Sequence, residues 1–127
     1  MWPYEQGVKL ICQIQPVPVA DYAGAFKALA DTSRLRIFWL LAHINERICV
    51  AEAMEVLGTS HYNASRHLTI LRKAQLVVAQ REGTRVFYTL NKAGGGFVLH
   101  LLAAVREIPA VGFEAEVERC KQLLALR

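Results

Sequence analysis

The sequence predicts a mostly α fold with a small β-hairpin, and three observations carry that prediction. The first is the stretch Ser60 to Lys73, SHYNASRHLTILRK, which on a helix puts Ala64, Leu68 and Leu71 on one stripe at i, i+4, i+7. Its opposite side carries Tyr62, Ser65, Arg66, Thr69 and Lys73 and no carboxylate. Such a face suits phosphates and base edges, because an acid there would repel the backbone of a nucleic acid. The second observation is a short amphipathic helix at turn distance before this stretch. The third is that residues 75–90 read as a β-hairpin with an arginine on each side of its turn. Helix, turn, helix and basic hairpin together are the winged helix-turn-helix arrangement.

Composition sets the bounds. A chain of 127 residues is one domain by the usual prior and long enough to bury a core. It is 54% hydrophobic and 20% charged, which argues against disorder and for a partner that covers apolar surface, most simply a second copy in a homodimer. A net charge of +4 permits nucleic-acid binding without demanding it. No apolar run is long enough to span a bilayer, so no membrane partner is expected. MWPYEQGVKLICQ does not read as a signal peptide. Three cysteines with no close pair are not a disulfide framework, and the expectation is a cytoplasmic protein with reduced thiols. There is no phosphate-cradling glycine loop, no CxxC and no H-E-x-x-H, and no nucleophile stands near a base, so no enzyme and no permanent cofactor are expected.

The expected organisation is a single domain over 1–127, with an N-terminal arm (1–20), the helix-turn-helix and wing (21–93), and C-terminal dimerisation helices (94–127). Pro3, Gly7, Pro16 and Pro18 punctuate the arm, where Leu10, Cys12 and Ile14 share the parity of a short extended piece. Asp21 to Ala30 is helix-like. Asp31-Thr32-Ser33 then offers N-cap oxygens for a helix over Arg34 to His43, with Leu35, Phe38, Leu41 and Ala42 at helical spacing. Arg34 and Arg36 lie where a helix dipole does not favour cations, which leaves two readings, a phosphate partner or solvated arginines. Val50, Ala53, Met54 and Leu57 mark a third helix that Gly58 stops, and Thr59-Ser60 caps the next.

Cys49 stands at or just before the start of the third helix. Unpaired amides there favour a thiolate, while a buried structural cysteine is the alternative. Leu76 to Arg81 and Arg85 to Leu90 are β-branched and aromatic around Glu82-Gly83-Thr84, which puts Arg81 and Arg85 where a wing meets a minor groove or flanking phosphates. Gly94-Gly95-Gly96 reads as a hinge. Phe97 to Glu107 is apolar nearly all round, as a dimer helix would be, and Phe113 to Leu126 is a last helix with Phe113, Val117, Cys120 and Leu124 on one stripe. His43 and His100 look structural.

FKALADTSRLRIFWLL, ICVAEAMEVLGTSHYNASRHLTILRKAQLV and QREGTRVFYTL, in this order over Phe26 to Leu90, resemble the arsenic-repressor (ArsR/SmtB) family of bacterial winged-helix regulators. The resemblance implies a homodimer joined through its N- and C-terminal helices. It implies a repressor of double-stranded operator DNA that leaves when a soft metal or thiol-reactive signal binds. The family's base and phosphate contacts fall on His61, Tyr62, Asn63, Ser65, Arg66 and His67, and its wing contacts on Arg81 and Arg85; Thr69 and Lys73 join them from the outward face. His67 lies toward the buried side of the wheel, which suits orienting the helix better than reading bases.

Where arsenic and cadmium sensors of the family often carry E-L-C-V-C-E-L, this chain has Arg47-Ile48-Cys49-Val50-Ala51-Glu52-Ala53, so one of the two cysteines is absent. Trivalent arsenic prefers three thiolates. The resemblance implies that an N-terminal cysteine of the other protomer, here Cys12, completes the site with Cys49; Cys120 is a third if the last helix packs near that arm. The family's zinc pairs on the C-terminal helices have no counterpart around His100. Three functions are therefore expected to compete: a repressor released by As(III) or a related soft ion, a repressor of the same fold sensing oxidation or sulfane sulfur, and an interaction module that does not bind DNA.

Overall fold

The computed structural model describes residues 19–126 apart from 45, 94, 110 and 113. In chain order the elements are α1 (Val19–Leu29), α2 (Thr32–Ile44), β1 (Ile48–Cys49), α3 (Val50–Leu57), α4 (His61–Lys73), β2 (Val77–Glu82), β3 (Arg85–Leu90), α5 (Gly95–Arg106) and α6 (Glu114–Ala125). Local chemistry sets most of these bounds. Asp31 caps α2, its Oδ1 accepting from the Arg34 amide at 3.1 Å. Gly58 ends α3 in the left-handed region at φ 64°, its amide donating to the Met54 carbonyl at 2.8 Å. Ser60 Oγ accepts from the Asn63 amide, three residues on, at 3.2 Å and so caps α4, which starts at His61.

The end of α4 departs from the usual glycine rule. Gln75 has φ 63°, with its amide on the Arg72 carbonyl (2.9 Å) and the Leu76 amide on the Leu71 carbonyl (3.1 Å). These two bonds are a Schellman motif with glutamine in the place glycine normally takes. Asn91 Nδ2 donates to the Gln75 carbonyl at 2.8 Å and holds the turn against the end of β3. The chain thereby reverses directly from α4 into β2.

The sheet is antiparallel with order β1-β3-β2. Val77 to Glu82 pair with Leu90 to Arg85, leaving Gly83-Thr84 as the loop. Gly83 takes φ 62° and Thr84 stays at negative φ, the pattern that places glycine first in a two-residue hairpin. Glu82, read from sequence as part of the turn, is the last paired residue. β1 was not anticipated: two residues are too few for any periodicity, and the pairing of Ile48 with Tyr88 and Cys49 with Phe87 is a tertiary contact.

The core is built on α2. The sequence gives this helix one apolar stripe, yet Ile37 through Ala42 are all buried. The reason is its position, since α1, α4, α5, α6 and β3 all pack on it. Leu35, expected in the stripe, is half-buried. Trp39 is buried with its indole N–H satisfied by the Ile108 carbonyl at 3.0 Å.

α5 sets Val98, Leu102 and Val105 against this core and leaves Leu99 50% exposed. The Phe97 ring stands edge-on to Tyr22 (4.8 Å) and Phe26 (5.6 Å) of α1, and Phe26 is 57% exposed. α6 turns back onto α3 and α2, burying Cys120, with Arg119 Nη2 to Glu55 Oε2 at 2.7 Å and Arg36 Nη1 to Glu116 Oε1 at 3.9 Å. No helix among the described residues is long and apolar enough to cross a membrane.

Candidate nucleic-acid interface and thiol positions

The inner side of α4 is anchored by Ala64, Leu68 and Leu71, each fully buried. That anchoring fixes which side faces outward. Tyr62 is 74% exposed, His61, Arg66, Arg72 and Lys73 are exposed, and Asn63, Ser65 and Thr69 are half-buried along the same surface. The first turn contains no acid, and the last turn carries Arg72 and Lys73. Asn63 Nδ2 also donates to Thr59 Oγ1 at 3.3 Å, which ties its amide to the turn before the helix.

The hairpin lies beside α4, and Arg81 and Arg85 are exposed on its two strands. Among the described residues Arg66, Lys73, Arg81 and Arg85 have no carboxylate partner, so their charge is available to an anion. The Glu82 acid at the wing tip is met by Arg47, whose guanidinium also lies 4.0 Å over the Phe87 ring. Arg47 was not singled out from sequence. It offsets the only acid among the residues that pair across β2 and β3, and its partner lies 35 positions on, beyond any local signal.

His67 is the member of the set that does not face outward. It is 8% exposed, and its Nδ1 takes a hydrogen bond from Arg34 Nη1 at 3.1 Å. Burial is the main cause holding its pKa below the ordinary value, with Arg34 and Arg66 acting in the same direction and Asp31 against them. Arg34, which the sequence leaves between a phosphate partner and solvent, has a side chain only 14% exposed, and its Nε donates to the Ala28 carbonyl at 2.7 Å. Asp31, capping the same helix, is held below its ordinary value mainly by the Arg34 amide. His43 and His100 are exposed and close turns of their own helices, Nδ1 lying 3.0 Å from the Trp39 carbonyl and 2.7 Å from the Gly96 carbonyl respectively.

The thiols are placed as follows. Cys49 is 5% exposed and is the N-cap of α3, where the Glu52 carboxylate accepts from its amide at 2.9 Å. Cys120 is 1% exposed on α6. Cys12 lies outside the described residues. Among the described residues no three His, Cys, Asp or Glu side chains converge as a metal site would require.

A family model described as a helix-turn-helix domain matches residues 29–80. The arsenic resistance transcriptional regulator ArsR2 of Pseudomonas putida is 41% identical over 66 residues, 52% of this chain and 56% of that protein. An uncharacterized HTH-type transcriptional regulator of Methanocaldococcus jannaschii is 44% identical over 66 residues, 52% of this chain and 73% of that one. The chain spans about half the length of several of the curated relatives it matches. Among solved structures, the homodimeric winged helix-turn-helix DNA-binding domain (fragment 1–100) of a possible ArsR-family regulator from Mycobacterium bovis superposes with a TM-score of 0.59. It is 35% identical, over 69% of this chain and 77% of that one. Motif order, fold and relatives agree, and the chain belongs to the ArsR/SmtB family of winged helix-turn-helix transcriptional regulators.

Proposed function

We propose that the chain is a homodimeric transcriptional repressor that binds double-stranded operator DNA through α4 and the wing. In this reading it leaves the operator when As(III) or a related thiophilic ion engages its cysteines. The observation that carries the DNA-binding reading is the outward side of α4, capped by Ser60, free of carboxylates and flanked by Arg81 and Arg85 with no acid partner among the described residues. Tyr62, Asn63, Ser65 and Thr69 are the candidates for base edges, and Arg66, Lys73, Arg81 and Arg85 for phosphates. His61 stands exposed in the first turn beside them. His67 orients the helix.

The exposed Phe26 ring on α1 and the exposed Leu99 on α5 support a dimer that buries them, and a relative of the same fold is homodimeric. The single-domain reading keeps α6 as part of that body, docked on α3 and α2.

Release is placed at the cysteines. Cys49 belongs at once to β1 and to the cap of α3, the first helix of the helix-turn-helix. In this reading a ligand drawn to this buried thiol shifts the start of α3, and the shift is passed along α3 to the turn before α4. Thiolate donors suit As(III), and a three-thiolate set requires Cys12 and Cys120 besides Cys49. A thiol-oxidation or sulfane-sulfur signal is the second reading. Two thiols suffice for that signal, through a disulfide or polysulfide link, where As(III) takes three.

The test is fluorescence anisotropy of a labelled fragment from upstream of the protein's own gene, with reduced protein and then arsenite. Salt-sensitive binding reversed by arsenite supports the first reading. Binding reversed only by peroxide or polysulfide supports the second. If no upstream fragment binds, the DNA-binding reading fails and an interaction module replaces it.

A further inference from the structure

We infer that Arg34 is a positioning residue for DNA binding: it sets the seating of α4 by donating to the neutral ring of His67, and protonation of that ring releases the hold. The inference rests on the reading that α4 enters the operator.

Arg34 stands in the first turn of α2, its side chain 14% exposed, and one guanidinium reaches three elements. Nε donates to the Ala28 carbonyl near the end of α1 at 2.7 Å. Nη1 meets His67 Nδ1 of α4 at 3.1 Å. Nη2 lies 4.0 Å from the Asp31 carboxylate that caps α2. A planar fork held at three points has one orientation, and a lysine ammonium cannot reproduce it.

The direction of the central bond follows from chemistry. Guanidinium has no lone pair to offer, so Arg34 donates and Nδ1 accepts. The His67 ring is therefore neutral and carries its proton on Nε2. Protonation at Nδ1 would set donor against donor and cation against cation. The charged groups whose fields reach the ring are Asp31, which favours the cation, and Arg34 and Arg66, which oppose it.

His67 sits beside Arg66 in sequence and two residues from Ser65 and Thr69, on the opposite side of the same helix. A rotation of α4 at His67 thus moves the whole outward set together. Ala28 belongs to α1, which also carries Phe26 of the proposed dimer face, so the same guanidinium links the dimer helix to the helix that reads DNA.

The test compares wild type, Arg34→Lys and His67→Gln as full-length dimers on one operator fragment, at about pH 7.5 and about pH 5.5, either side of the ordinary histidine value. A glutamine oxygen can accept from Arg34 at both. Arg34→Lys is expected to weaken binding about tenfold at the higher pH, the worth of one charge-assisted hydrogen bond. Acidification is expected to weaken wild type severalfold more than His67→Gln. His61 is present in both proteins and cancels in that comparison. Nitrogen-15 spectra of the histidine rings, taken without DNA, should show His67 protonated at Nε2 and bare at Nδ1, a preference that Arg34→Lys abolishes. A His67→Gln profile identical to wild type, or a proton on Nδ1 at the higher pH, overturns the inference. Absence of wild-type binding at both pH values overturns the DNA reading beneath it, while the ring spectra still report on the clamp.

Discussion

Replacing Arg66 by alanine separates what α4 does for the fold from what it does at the operator. Arg66 is exposed, has no ion-pair partner among the described residues, and sits opposite the buried Ala64, Leu68 and Leu71. Alanine is also the better helix former. The fold should therefore change in stability by less than about 0.5 kcal/mol. The operator should respond very differently. Each phosphate neutralised on duplex DNA adds about 0.9 to the slope of log K against log salt, so the variant's slope should be shallower by about that amount. Between about 50 and 200 mM salt this one residue then accounts for roughly a 3.5-fold difference in how much affinity is lost. If the guanidinium grips a guanine edge instead, affinity drops by about 1–3 kcal/mol with less change in slope and with relaxed sequence preference. The assay is anisotropy over a salt series, paired with thermal unfolding. A folded variant with wild-type affinity and wild-type slope would refute the assignment of the outward face.

Other substitutions test other parts of the argument. Gln75→Gly should raise stability by about 0.5–1 kcal/mol, because glycine removes the left-handed penalty at φ 63° and returns part of it as chain entropy; urea unfolding checks this, and a loss would mean the glutamine side chain holds the turn. Cys49→Ser should bind the operator as wild type does and fail to leave it on induction, and a normal response would make Cys49 purely structural. Phe26→Glu should shift the protein toward monomer in sedimentation, since it puts a charge on the exposed ring of α1 that packs against Phe97 of α5; an unchanged dimer would place the interface elsewhere. His67 has its pKa depressed below 6.5 in the folded state, so the unfolded chain takes up this proton first as pH falls. Its contribution to stability is complete above that value and declines as pH falls through it toward the folded-state pKa. Urea midpoints of wild type and His67→Gln should therefore diverge between neutral and mildly acidic pH, and parallel curves would count against the buried neutral ring.

Much of the fold was legible because the signals were local. The limits of α3, the cap and inner stripe of α4, and glycine at the hairpin loop each depend on residues within about one helical turn or one hairpin loop of one another, where backbone geometry dictates the neighbour. The outward face of α4 could be listed from periodicity alone, and the same wheel already set His67 apart on the inner side. The family was legible from the order of its motifs.

Tertiary structure decided the rest. It packs four helices and β3 on α2 and buries Ile37 through Ala42, so a helix with one apparent stripe became the core. It created β1 from two residues by pairing them with β3. It brought Arg47 to Glu82 and Arg34 to His67, pairs 35 and 33 positions apart. It folded α6 back onto α3 and so buried Cys120. Side-chain chemistry names what each residue can offer, but which partner takes the offer depends on chain reversals far away in sequence. Arg34 is the plainest case: from the sequence it was a cation awaiting phosphate or water, and the fold placed a carbonyl, a carboxylate and an imidazole lone pair around it.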